Sequence, residues 1–362
     1  MSTIYNKNMR KIKILGAGLS GLAAAINLAK AGIEVEVFEK NSDCGMRFHG
    51  DMQGLENWSD KEDVLDSLSK MHIDVNFNCT PFRKVIFANC EQEQEFSFDK
   101  PVFYLIERGS FEGSIDYGVK QQALDAGVSI YFDQDKKPDD VDIVATGPRF
   151  NHIAIADKGI IFKTDLSDMA IALISDKAAF KGYSYLLVAN SIACLCSCTF
   201  DKIEKLNDNF EFTKKYFCNK YNLKIENEKA VGGVGYFSIN NIYKDETNIF
   251  VGEAAGIQDF LAGFGMRTAI TSGYLAAKSI IENLDYEKLA EEKFSDYIKA
   301  GVVNRYIWEH TQIDNYFTVL NKLNGPIKGT DVLRSMYNLN LAGKIEYPIA
   351  LQYIKKQYPE VL

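Results

Sequence analysis

Gly16, Gly18 and Gly21 stand in the spacing GxGxxG between a short apolar run, Lys11 to Leu15, and an Ala- and Leu-rich segment, Ser20 to Ala31. The two runs read as a strand and a helix, Gly32 stops the helix, and Glu34 to Phe38 is a second strand. That order is a βαβ unit of a parallel sheet. The first glycine permits a tight turn, the second lets the main chain approach a pyrophosphate, and the third packs helix on strand. Ala17, Gly18, Leu19 and Ser20 then present amides to phosphate at the positive end of the helix. Glu39, at the end of the second strand with Lys40 beside it, is placed to accept from ribose hydroxyls. Its charge disfavours a 2′-phosphate, so NADP does not suit this position.

FAD and NAD both satisfy this motif, and a late segment decides between them. Asn248 to Arg267 reads NIFVGEAAGIQDFLAGFGMR. A strand runs into Gly252 and Glu253, and a loop spaced by Gly263 and Gly265 opens a helix at Met266. Small residues let a flat ring lie against the main chain, and the helix end stabilises the negative charge of a reduced flavin. An NAD enzyme has no need of this second element. FAD is the expected cofactor.

Elsewhere the chain shows no internal repeat, so its organisation is read from the alternation of strands and helices. Pro101 to Glu107 resembles a strand, Ser110 to Ala126 a helix and Gly127 to Phe132 a strand, followed by the apolar run Val141 to Ala145; these continue the parallel domain. From Ile153 to about Val234 strand-like segments dominate, with one helix at Asp208 to Tyr221. Ile249 to Val251 returns as a strand, Gly265 to about Asn283 is a helix, and the remainder to Leu362 reads as helical. The expected α/β fold is a Rossmann-type FAD-binding domain (1–152 and 236–285), an inserted antiparallel β-sheet substrate domain (153–235) and a C-terminal helical region (286–362).

These residues resemble the p-hydroxybenzoate-hydroxylase-fold flavoproteins and, more narrowly, the FAD-dependent geranylgeranyl reductases. Besides the N-terminal motif, Gly252 to Met266 is similar to the family's GDAAGxxxPxxGxGI, with Phe260 in place of proline and Glu253 in place of aspartate. Pro101, Tyr104 and Arg108 match the reductases' PxxYxxxR. The resemblance implies that Glu253 touches the ribityl or pyrophosphate part of FAD, that Arg108 lies near the cofactor, and that Arg47 is the basic residue following the acidic strand end. It aligns His49 with a cysteine of the family's flavin-side loop. Asp142 to Pro148, DIVATGP, resembles the ATG-type strand end of many flavoproteins, which adds Gly147 to the cofactor set and disfavours aromatic hydroxylation. The implied activity is reduction of carbon-carbon double bonds in an isoprenoid or lipid-like substrate, with electrons from NAD(P)H, ferredoxin or reduced flavin. An FAD-dependent monooxygenase or halogenase is the alternative, and a non-catalytic FAD-binding sensor a further one.

Reduction of an alkene asks of the protein orientation and a proton donor. His49 is the candidate acid, since imidazole titrates near neutral pH. Cys44 and Tyr104 are the other side chains considered for that proton. Tyr104, Tyr183 and Tyr185 are candidates for the substrate wall, the last two as alternate residues of one strand face. Cys194, Cys196 and Cys198 share such a face and read as small core residues, without metal-ligand spacing.

Composition narrows the partners. A net charge of −8 over 362 residues and a pI of about 5.3 give no field attractive to a phosphate backbone, so nucleic acid is not expected. Seven cysteines, an odd number, fit a reduced, cytoplasmic chain. The leader Met1 to Arg10 lacks the apolar centre of a signal peptide. Tyr183 to Phe200 is long and nearly uncharged, but Asn190 and Ser191 divide it into a hairpin rather than a membrane span. An apolar substrate leaves peripheral membrane contact as an expectation.

Overall fold

The computed structural model describes residues 11–148, 154–311 and 328–361. The leader Met1 to Arg10, Ile153 at the start of the inserted sheet, and the stretch 312–327 of the expected helical region lie outside these residues.

The first sheet is parallel and follows the βαβ expectation. β1 (Ile12–Leu15) leads through α1 (Leu19–Lys30) to β2 (Val35–Phe38). With β8 (Ser129–Tyr131), β9 (Ile143–Val144) and β15 (Ile249–Phe250) they form five parallel strands in the order β15-β9-β1-β2-β8. α1 is buried along nearly its whole length because a second helix, α5 (Met266–Glu282), lies against it. The two main chains approach closely: a Cβ on Gly273 would stand 2.0 Å from the Ser20 carbonyl oxygen.

The region between residues 40 and 100 carries elements that its sequence pattern does not announce. It holds β3 (Met52–Glu56), α2 (Val64–Lys70), β4 (Thr80–Phe82), β5 (Lys84–Ala88) and β6 (Glu93–Ser97). Their alternation is weak; β6 reads EQEFS, with one buried side chain, so no periodic signal reveals it. β7 (Phe103–Glu107) is a strand, as Pro101 to Glu107 suggests, but not of the parallel sheet. It is the middle of a small antiparallel sheet, β3-β7-β4. α3 (Ile115–Asp125) starts later than Ser110 because Ser114 caps it, its Oγ accepting from the Tyr117 amide.

The third sheet has seven strands in the order β14-β10-β13-β12-β11-β5-β6. β10 (Ile155–Lys163), β11 (Met169–Leu173), β12 (Tyr183–Ala189), β13 (Ile192–Thr199) and β14 (Lys229–Gly235) are the expected antiparallel insertion. β5 and β6 extend it from the earlier segment, β5 pairing parallel with β11. Asn190 and Ser191 turn the β12–β13 hairpin with φ of 53° and 64°, the two left-handed residues of a type I′ turn. α4 (Leu206–Tyr221) covers one face of this sheet, where Phe210 and Phe217 pack on Ile160, Leu186 and Leu195. The other face looks toward the parallel domain.

The C-terminal part is helical where described: α6 (Tyr286–His310), α7 (Gly329–Met336) and α8 (Leu341–Gln357). Among the described residues no helix is long and apolar enough to cross a membrane.

Candidate functional site

One cavity of about 1190 Å³ runs from the glycine loop after β1 to the uncovered face of the seven-stranded sheet. That exceeds the roughly 300–1,000 Å³ of ordinary small-molecule pockets.

At the first end the wall is main chain. Gly16 turns at φ +101°, and a Cβ there would lie 2.3 Å from the Ala145 carbonyl oxygen, so only glycine fits. Gly18 is the N-cap of α1 and offers no side-chain cap. A Cβ on it would meet nothing within 4 Å, so the space before the helix amides is open. Ala17, Leu19, Ser20 and Lys40 line the same end, together with Gly147. Gly21 lies behind the wall, where its missing Cβ lets α1 sit on the Gly16 carbonyl. Glu39 is buried; its Oε2 accepts from the Ala17 amide at 2.9 Å, and its Oε1 accepts from Asn41 N at 3.0 Å and Nδ2 at 2.6 Å. A carboxylate has about four acceptor sites, so one stays available to a ribose hydroxyl.

The middle of the cavity is tied across the chain. Arg47 Nη1 donates to Glu253 Oε2 at 2.9 Å and Nη2 to the Val234 carbonyl at 2.6 Å. Arg108 donates through Nε and Nη2 to both oxygens of Asp116, at 2.8 and 3.0 Å, and its guanidinium lies 3.9 Å from the Phe48 ring centroid. Gly252 holds φ +62°, its amide donating to Ser272 Oγ at 2.8 Å, and supports the wall without lining it. Gly263, Gly265 and Met266 bring the amide end of α5 to the cavity, again without a side-chain cap. Gln258 Nε2 donates to the Gly263 carbonyl at 2.8 Å, while its buried Oε1 has no partner. Phe260, the proline substitute, packs 4.1 Å from the Phe237 ring centroid, and its carbonyl accepts from the buried Arg305 Nε at 3.0 Å.

The far end is built from side chains. Strand register places Gly233, Asp157, Cys198 and Tyr183 in one cross-strand row, and Gly159, Cys196, Tyr185 and Ala172 in the next. Rows of directly opposed residues share a face, and this is the cavity face. Tyr183 Oη donates to the Ala262 carbonyl at 2.6 Å, fixing its ring. Burial raises both tyrosines above the usual phenol range and pushes the Cys194 thiol up to about 12, so the cysteines of β13, of which Cys198 lines the cavity, stay as thiols. Asp157 differs from its neighbours. Burial first, and then the Asp51 carboxylate, raise its carboxyl to about 6.

Two expected residues are not brought here. His49 is exposed and absent from the wall, although Phe48 and Asp51 on either side line it. Tyr104 points to the opposite side of β7 from the wall residue Phe103, as strand alternation requires. Its hydroxyl donates to the Asp63 carboxylate at 3.1 Å. Cys44, also considered for the proton, is buried with its thiol raised by desolvation. Missed in the sequence are Asp51, Asp157 and the cover from α6 and α7: Ile307, Trp308, Leu333 and Met336. A charged residue inside a β-branched strand was the available signal for Asp157.

Residues 14–57 match the NAD(P)-binding Rossmann-like domain family. A 1-hydroxycarotenoid 3,4-desaturase from Flavobacterium sp. (strain P99-3) is 31% identical over 99 residues, which is 26% of this chain and only 20% of that relative's length. Among solved structures, a geranylgeranyl bacteriochlorophyll reductase-like protein from Thermoplasma acidophilum superposes with a TM-score of 0.72 over 97% of both chains at 17% identity. A flavin-dependent brominase gives 0.65 over 96% of this chain and 100% of its own at 16% identity. By fold, the chain stands with the flavoproteins that its three motifs resemble.

Proposed function

We propose that the protein is an FAD-dependent oxidoreductase that reduces a carbon-carbon double bond of an isoprenoid or lipid-like substrate. The observation that carries this reading is the single continuous cavity, with a pyrophosphate cradle at one end and an apolar chamber at the other. The cradle fits the cofactor: open space before the uncapped α1, an available acceptor on Glu39, and a second uncapped helix end at Gly265. Ala17 to Ser20 would hold the pyrophosphate, Glu39 the ribose, and Gly263 to Met266 the ring end. When bound and reduced, the flavin supplies a hydride. The chain's own part is to exclude water with the Trp58, Phe103 and Met336 side chains, to orient an extended apolar substrate along the tyrosine rows, and to provide a proton. The T. acidophilum neighbour's reductase-like description supports the reaction class.

The electron donor is NAD(P)H, ferredoxin or a reduced flavin. A halogenase or monooxygenase is the second reading, favoured by the full-length overlap with the brominase. Anaerobic reoxidation of dithionite-reduced, FAD-loaded protein by a geranylgeranyl-bearing lipid tests the first. A protein that stays reduced under those conditions, yet consumes oxygen when given an aromatic substrate and halide, refutes it.

A further inference from the structure

Most of the chamber is hydrocarbon or inert thiol, and Asp157 is the carboxyl group set into its sheet floor. It sits on β10 between Gly233 of β14 and Cys198 of β13. The absent side chain at Gly233 leaves room on that side, 3.7 Å from Oδ1 to where a Cβ would be, while the Gly233 amide faces the carboxylate and favours its charged form. Cys196 Sγ, a weak donor, stands 3.8 Å from Oδ2. Arg47, the cation facing it, already spans Glu253 and the Val234 carbonyl. Asp51, from the loop beyond Arg47, lines the same wall and accepts the His49 amide at 2.7 Å. Tyr183 and Tyr185 on β12 and the cysteines of β13 complete its surroundings, all held neutral by burial.

Resting on the alkene-reduction reading above, we propose that Asp157 is the acid that delivers the proton to the substrate in this chamber. Saturation breaks the π bond and forms two C–H bonds. One carbon takes a hydride from the reduced flavin, which is thereby oxidised; the other takes the proton from Asp157 Oδ1, and the O–H bonding pair stays on the carboxylate. An acid serves best when its pKa lies near the working pH. Desolvation and the like charge of Asp51 bring a carboxyl into that range, whereas the thiols and phenols around it are driven away from it. Asp157 therefore carries a proton in mildly acidic solution, up to about pH 6, where an ordinary aspartate does not.

Two measurements on the FAD-loaded protein test this. Infrared titration should show a protonated-carboxyl stretch that vanishes with a midpoint near 6 in the wild type and is missing in Asp157→Asn. In Asp51→Asn the midpoint should fall toward the ordinary aspartate value of about 3.9. In single-turnover reoxidation by a geranylgeranyl-bearing lipid, Asp157→Asn should be slower by roughly a hundred- to ten-thousand-fold, with dithionite reduction unaltered. The wild-type rate should fall above that midpoint, and the fall should move to lower pH in Asp51→Asn. Absence of the titrating band, or wild-type turnover that Asp157→Asn matches, overturns the donor role alone. If the wild type is not reoxidised by any prenyl lipid, the functional reading falls and the donor role with it.

Discussion

At the glycine-loop end of the cavity the wall is main chain, with Gly16, Gly18 and the first amides of α1 presented by one short turn. At the sheet end it is built of side chains drawn from strands far apart in sequence: Phe87 on β5, Ala172 on β11, Tyr185 on β12, Cys198 on β13 and Asp157 on β10. A main-chain site tolerates little change, because a glycine's missing side chain is the feature itself. A side-chain site can be retuned one residue at a time while the backbone stays fixed. The shape of the first end is therefore fixed by its backbone, and that of the second by individual side chains.

The sharpest way to break this contrast is Gly18→Val. Nothing lies within 4 Å of the added Cβ, so stability should change by less than about 1 kcal/mol. FAD affinity should drop on the order of a hundredfold, about 3 kcal/mol. Flavin fluorescence titration beside thermal unfolding separates the two effects, and unchanged affinity would remove the α1 end from the cofactor site.

Glu39→Ala should weaken FAD by about 1–3 kcal/mol, since the ribose partner and the brace on the Ala17 amide are lost together. Calorimetric titration showing equal affinity would count against the ribose role.

Asp157→Asn sharpens the comparison from the sheet end. The wild-type carboxyl binds its proton more tightly folded, near 6, than unfolded, near 3.8. The folded state thus holds more protons between those values, and the group's contribution to stability declines as pH rises through that window. Asparagine does not titrate. The variant should gain about 1–2 kcal/mol over wild type at pH 7 and nothing at about pH 4, by urea unfolding with both proteins saturated in FAD. A gain of equal size at both values would mean that Asp157 is an ordinary carboxylate.

The smallest effect is expected at His49. As an exposed residue off the cavity wall, its replacement by alanine should leave lipid-driven reoxidation unchanged and stability within about 0.5 kcal/mol.

The difference between the two ends also governs what could be read in advance. GxGxxG, Glu39 and the run from Gly252 to Met266 are contiguous, and each glycine answers to a local steric demand, so the parallel domain and its cradle were legible. The hairpin was legible for the same reason, since Asn190-Ser191 is a local turn signal. Phe98 beside β6, and Leu333 and Met336 on α7, carry no local mark of the chamber they enclose. Tyr104 shows the opposite failure. Its motif placed it correctly in a strand, but the side it faces is set by pairing with β3 and β4, which the sequence concealed. His49 was placed in the right loop, and the loop turns Phe48 and Asp51 inward instead.

The Arg47–Glu253 bridge joins residues more than two hundred positions apart, and this dictates an order of events during synthesis. A nascent chain halted before β15 possesses the glycine loop, Glu39 and Arg47. It lacks the edge strand of the parallel sheet, the carboxylate that Arg47 meets, and the α5 end that lines the cavity. Contacts of such long sequence separation form late, and domains emerge from the ribosome N-terminus first. Completion of the cavity is thus a late step in the life of the polypeptide. Until residues 252–266 emerge, the apolar chamber stands open at its centre, and the growing chain is most exposed to aggregation in that interval.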